Sequence, residues 1–142
     1  MPRKIKPTHL KKRRGAAAVE LAVVLPIFFL IIFGIVEFGR VMMVMQVVTN
    51  AAREGARACA VGDMTVAEVQ TLCEEYASGA MVPNVQVEIT PDPVTVNRGD
   101  PFEVRVFVNF NEVAFLPPFW AKESVLQSRS TMRKERESSS QP

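Results

Sequence analysis

The sequence predicts an α+β fold in which a long N-terminal helix and a second short helix precede a small antiparallel sheet of about three strands. Residues 16–36 are an apolar run with one charge, Glu20, and no proline interrupts residues 27–82. After Pro83 the hydrophobic period becomes that of strands. The predicted regions are a basic leader (1–15), a transmembrane and stalk helix (16–61), an α+β domain (62–133) and a disordered tail (134–142).

The charge is distributed unevenly along the chain. Seven of the 17 Lys and Arg side chains lie in the first fourteen positions, so residues 16–142 carry 17 less 7, or 10, basic side chains against 15 acidic ones. A nucleic-acid-binding domain needs a basic surface to neutralise phosphates, so we expect no nucleic-acid partner. The one histidine, His9, lies in the leader, and nothing else has metal-ligand spacing. We therefore expect no metal and no other cofactor.

The apolar segment, residues 16–36, predicts a single membrane span. About 20 apolar residues cross the hydrocarbon core of a bilayer. Positively charged flanks stay cytoplasmic, so we expect the N-terminus in the cytoplasm and the C-terminal domain outside it. A cleaved secretory signal fits less well, because its apolar region usually has about 7–15 residues.

Glu20 predicts a role beyond anchoring. A carboxylate near the start of a membrane helix is costly, although snorkelling to the interface would lower that cost. Cleavage between Gly15 and Ala16 would create an ammonium group at Ala16, one helical turn from Glu20. In a low-dielectric setting, a pair between that ammonium and Glu20 of the same or a neighbouring chain would fix axial register.

These residues resemble two known patterns. The basic run, Gly15 and the following residues up to Glu20 are similar to a type IV prepilin leader and its cleavage site. Over residues 13–60 the chain resembles the TadE-like family of tight-adherence pilus assembly proteins. The matching stretches are VELAVVLP (19–26), FGIVEFGR (33–40) and AREGAR (52–57).

The resemblance implies a pseudopilin or minor pilin in the inner membrane, involved in type IV-like pilus assembly, adhesion and secretion. It implies a prepilin peptidase, other pilin subunits and a pilus assembly platform as partners, and a place in the extracellular pilus. Leu21 stands where major tight-adherence pilins usually carry an aromatic residue, which favours the minor role. The alternative is a permanent single-pass anchor that binds a partner of the machinery and is not polymerised.

The stalk carries candidate packing and assembly residues. Glu37 and Arg40 are three positions apart and can pair on one helix face. Small residues recur at helical spacing, among them Ala52, Gly55 and Ala56, and such stripes allow another backbone to approach closely. The simpler explanation is that alanine is a good helix former.

A second helix is predicted over residues 65–79, where Thr65 and Glu68 have the spacing of a capping box. Cys59 and Cys73 flank the break between the two helices. An extracytoplasmic location permits a disulfide between them, and two buried thiols are the alternative.

Strand patterns occupy residues 85–90, 102–110 and 126–132, with a turn signal at 97–100. Such a sheet would pack one apolar face on the helices. The aromatic residues near Pro117, namely Phe115, Phe119 and Trp120, indicate either a partner-binding patch or a cap on the core. No nucleophile motif such as G-x-S-x-G occurs, so we expect no enzyme.

Overall fold

The computed structural model describes residues 10–62, 64–115 and 124–135. The described chain contains, in order, one long helix, a second helix of 14 residues, two strands, a helix of four residues and a third strand. This confirms the predicted α+β class and the order of its elements. The elements are α1 (Leu10–Val61), α2 (Val66–Gly79), β1 (Gln86–Thr90), β2 (Pro101–Asn109), α3 (Phe110–Val113) and β3 (Val125–Arg133).

Helix α1 is continuous and begins earlier than the predicted start at Ala16. It begins at Leu10 and runs through Gly15, because the leucine, lysines and arginines of this stretch favour a helix. Pro26 lies inside the helix and lacks the N–H that would bond the preceding turn. By its internal contacts the chain divides into residues 1–36 and Glu37–Pro142, and we call the latter the C-terminal unit.

Helix α2 begins with the predicted capping box. The Thr65 hydroxyl accepts from the backbone N–H of Glu68, and the Glu68 carboxylate accepts from the backbone N–H of Thr65 at 2.7 Å. The Gln70 side chain links α2 to β1 by two hydrogen bonds. Its side-chain amide donates to the carbonyl of Val85 and accepts from the N–H of Val87, both at 2.8 Å. The edge of β1 is thereby covered by a side chain of α2.

The sheet is antiparallel, with the order β1-β2-β3. Residue Val106 of the central strand pairs with Val87 of β1 on one side and with Ser128 of β3 on the other. Alternate side chains of β2 point into the core, as period-two patterning requires. These buried side chains are Phe102, Val104, Val106 and Val108.

Two boundaries differ from the sequence prediction. Phe110 begins α3 instead of ending a strand, because a helical turn directs both Phe110 and Val113 into the core, where they are 7% and 2% exposed. The sequence predicts a disordered tail from residue 134, but Lys134 is 2% exposed and the N–H of Glu135 donates to the carbonyl of Ala60 at 2.9 Å. The folded unit therefore extends at least to Glu135, two residues beyond the end that polar composition predicts.

Candidate functional site

The predicted processing residues lie on exposed helix. Gly15, Ala16 and Glu20 are exposed on α1, and a Cβ added at Gly15 would meet no atom within 4 Å. Ala16 and Glu20 are four residues apart, which places them one helical turn apart on the same face. The structure thus brings together the two positions that would carry the ammonium and the carboxylate after cleavage.

The apolar segment presents its side chains outward. Within the described residues, one helix, Gly15–Val61, is long and apolar enough to cross a membrane. From Val19 to Val36, every large apolar side chain is at least 36% exposed. A helix that is apolar all round is buried in a protein or a membrane, which is consistent with a single-pass membrane protein.

Glu37 and Arg40 do not form the ion pair that their spacing allows. Each instead binds backbone at the C-terminal end of α3: the Arg40 guanidinium donates to the carbonyl of Val113, the last residue of α3, and Glu37 Oε2 accepts from the N–H of Phe115, two residues later, at 3.2 Å. The other oxygen, Glu37 Oε1, is buried and has no hydrogen-bond partner among the described residues. We call these four residues, Glu37, Arg40, Val113 and Phe115, the stalk clamp.

The stalk clamp could not be found from the sequence. Arg40 and Val113 are 73 positions apart in the sequence, and Glu37 and Phe115 are 78 positions apart. The groups bound at Val113 and Phe115 are backbone groups, which carry no residue-specific signal. Phe115 is 67% exposed, so it does not cap the core as one of the two predictions required. Phe119 and Trp120 lie outside the described residues.

The small residues of the stalk pack inside the C-terminal unit. A Cβ added at Gly55 would lie 3.0 Å from Cys73 Sγ and 3.2 Å from a Val69 methyl group. The glycine therefore lets α2 of the same chain approach α1 closely. Ala52 and Ala56 are 1% and 0% exposed. The predicted helix packing is thus intramolecular, and these residues leave no surface for a neighbouring subunit.

The two cysteines are free, buried thiols. This is the second of the two arrangements considered from the sequence, and the disulfide is not formed. Cys73 Sγ donates to the carbonyl of Ala51 at 3.5 Å. Burial raises the pKa of Cys73 to about 11, and the nearby Cys59 and the carboxylates of Glu54 and Glu74 act in the same direction. The protonated thiol is a poor nucleophile, so Cys73 is suited to packing.

A buried lysine side chain binds backbone carbonyls at the C-terminal end of α1. Lys134 Nζ donates to the carbonyls of Cys59 at 3.2 Å and Gly62 at 2.9 Å. Carbonyls at a helix C-terminus lack intrahelical donors and carry partial negative charge, so a cation there is stabilising. Sequence reasoning missed this residue because a single lysine in a polar stretch gives no signal of burial.

Part of the chain matches a known protein family. Residues 15–57 match the family model described as TadE-like protein. The match confirms the resemblance deduced from the sequence and extends from the candidate processing site through Glu37, Arg40 and Gly55. No curated protein and no solved structure matches the chain.

Proposed function

We propose that the protein is a TadE-like pseudopilin, or minor pilin, that acts in the assembly of tight-adherence (type IV-like) pili. In this proposal α1 anchors the chain in the inner membrane, with the leader in the cytoplasm and the C-terminal unit outside. A prepilin peptidase removes residues 1–15, and the matured subunit joins other pilin subunits at the assembly platform. The role is structural, without a catalytic step.

The observation that carries the proposal is the family match over residues 15–57. That segment contains the glycine at the candidate cleavage site, the carboxylate five positions later and the whole apolar segment. It also falls within one unbroken helix, Leu10–Val61. An N-terminal helix that is apolar at its start and packed against a small domain at its end can serve as the spine of a filament subunit.

Glu20 would act by charge pairing. After cleavage the α-ammonium of Ala16 lies one turn from Glu20 in the same chain, or beside Glu20 of a neighbour in the filament. A charge near hydrocarbon is costly when unpaired and much less so when paired. The pair would therefore favour one axial register between subunits over others.

One observation favours a second candidate, a permanent single-pass anchor that binds a partner of the pilus machinery. The bond between Gly15 and Ala16 lies inside helix α1, so a peptidase would first have to unwind this turn. An uncut chain would keep its basic leader and would not polymerise. The cleavage state separates the two candidates.

The test is the intact mass of the protein from membranes of cells that contain the complete pilus system. We expect a chain that begins at Ala16. Gly15→Leu should leave the precursor uncut, because a bulky side chain hinders close approach to the peptidase. Gly34→Leu is the matched control, since a Cβ there also meets no atom within 4 Å, and it should be cut normally. Wild-type protein that retains Met1 or Pro2 would contradict maturation and support the anchor.

A further inference from the structure

The stalk clamp lies at the point where the membrane span ends. The apolar segment has 21 residues, which gives a helix of about 31 Å, close to the roughly 30 Å of the hydrocarbon core. Glu37 is the next residue and the first charge after Glu20. If the apolar segment spans the bilayer, Glu37 and Arg40 lie at its outer interface, where charged side chains are tolerated.

The clamp brings a distant part of the chain to this level. The backbone of Phe115 is bonded to Glu37, and that of Val113 to Arg40. The segment after α3 therefore lies beside the first turn of α1 that follows the apolar segment. The short helix α3 is itself held by Phe110 and Val113, which are buried in the core.

Two phenyl rings are exposed at the clamp. Phe115 is 67% exposed, and Phe38, adjacent to Glu37, is 64% exposed. These are the two most exposed aromatic rings in the described part of the C-terminal unit, where Tyr76 follows at 44%. Segments that lie at a membrane surface bury Trp, Phe and Leu side chains at the boundary between headgroups and acyl chains, because the apolar side chain leaves water there.

We infer that Phe115 and Phe38 dock on the outer leaflet of the membrane and that Glu37 and Arg40 hold the Val113–Phe115 segment in place for that contact. The partner is the lipid surface, and the argument for it is continuity with the apolar segment. The inference rests on the proposed membrane anchoring. Glu37 and Arg40 act as positioning residues, since their side chains bind backbone groups and leave the rings free to contact lipid.

The experiment places a fluorescent reporter at position 115. The full chain carries Trp120→Phe, which removes the only tryptophan, together with Phe115→Trp. It is reconstituted into phosphatidylethanolamine–phosphatidylglycerol vesicles that contain lipids brominated near the headgroup. We expect about a twofold loss of fluorescence relative to unbrominated vesicles, because a ring in the interface contacts the quencher.

Val61→Trp in the same Trp120→Phe background is the matched control. Val61 is 52% exposed at the far end of α1, about 36 Å along the helix from Glu37, and its fluorescence should not change. Adding Glu37→Leu should reduce quenching at position 115, because the N–H of Phe115 loses its acceptor. Glu54→Leu, on an exposed face of the same helix, should leave that quenching unchanged.

The outcomes are distinct. An unquenched tryptophan at position 115, in a chain that resists carbonate extraction, overturns this inference and leaves membrane anchoring intact. A chain that is extracted by carbonate overturns both. A blue shift without quenching that grows with protein concentration overturns lipid docking in favour of a second copy of the chain covering the ring.

Discussion

In the C-terminal unit, single side chains form hydrogen bonds to backbone groups that are distant in the sequence. Lys134 binds carbonyls at the end of α1, Gln70 covers the edge of β1, and Glu37 and Arg40 hold the segment after α3. Each of these side chains satisfies backbone groups that would otherwise lack a partner, which is costly when they are buried. The spacing of Glu37 and Arg40 is visible in the sequence but indicates a pair with each other, and none of these side chains has a spacing that identifies its actual partner.

Lys134→Met should destabilise the C-terminal unit by about 1–3 kcal/mol, because the carbonyls of Cys59 and Gly62 would lose a charged donor. The measurement is urea unfolding of the full chain in detergent, monitored with a spectroscopic probe of tertiary structure. Arg133→Met is the control, since Arg133 is exposed on the neighbouring position. Equal midpoints for Lys134→Met and wild type would show that water replaces the ammonium without cost.

The raised pKa of the Cys73 thiol predicts that the C-terminal unit loses stability at high pH. Its pKa is raised from 9.0 to about 11, so the folded state favours the neutral thiol more than the unfolded state does. The contribution is present below pH 9 and is lost as the pH rises from 9 to about 11. Burial raises the pKa of Cys59 to about 11 as well, so Cys73→Ala should reduce the fall in stability across this window without abolishing it, measured by denaturant unfolding at each pH. A wild-type profile that is already flat there would contradict the raised pKa.

At the scale of the elements, packing of α1 against α2 depends on a residue without a side chain. Gly55 lies opposite Cys73 and Val69, and a Val104 methyl group is 3.5 Å from its would-be Cβ. Interiors are packed too closely to accept a large side chain at such a crossing. The same helix therefore serves as an apolar segment at one end and as a core element at the other.

Gly55→Leu should destabilise the C-terminal unit by about 1–3 kcal/mol through overpacking. Gly39→Leu is the matched control, because a Cβ at Gly39 meets no atom within 4 Å and the change removes a poor helix former. Its stability should stay equal or rise by up to about 1 kcal/mol. Thermal unfolding of the two variants gives the comparison, and similar midpoints would mean that α2 moves aside easily.

The elements were predictable where local patterns decide them. The capping box at Thr65 and Glu68 is formed, and the alternation along β2 matches its buried and exposed faces. The short helix α3 was missed because its first residue, Phe110, continues the alternation of β2. The candidate site was predictable only where it is linear in sequence, at Gly15, Ala16 and Glu20. The stalk clamp and Lys134 depend on tertiary contacts between distant positions.

At the scale of the whole molecule, the two units present different surfaces. Residues 19–36 expose large apolar side chains along α1, whereas the described part of the C-terminal unit encloses a hydrophobic core and exposes fewer large apolar side chains, among them Phe38, Met81 and Phe115. The small residues of the stalk are enclosed in that core. Contacts between subunits would therefore have to come from the apolar segment or from the exposed faces of the C-terminal unit, and Glu20 is the charge within the apolar segment.

Glu20→Leu separates the pseudopilin from the permanent anchor. The helix should insert as before, or slightly better, because the change removes the one charge from an apolar segment of sufficient length. Assembly should nevertheless fall, because the ammonium of Ala16 loses its carboxylate partner. We expect at least about a tenfold decrease of this subunit in sheared pili, the effect of roughly 1.4 kcal/mol, at unchanged levels in the membrane. Glu88→Leu, on the exposed face of β1, is the control and should assemble normally. An anchor that tolerates Glu20 by snorkelling predicts no difference between these strains, so wild-type piliation with Glu20→Leu would decide for the anchor.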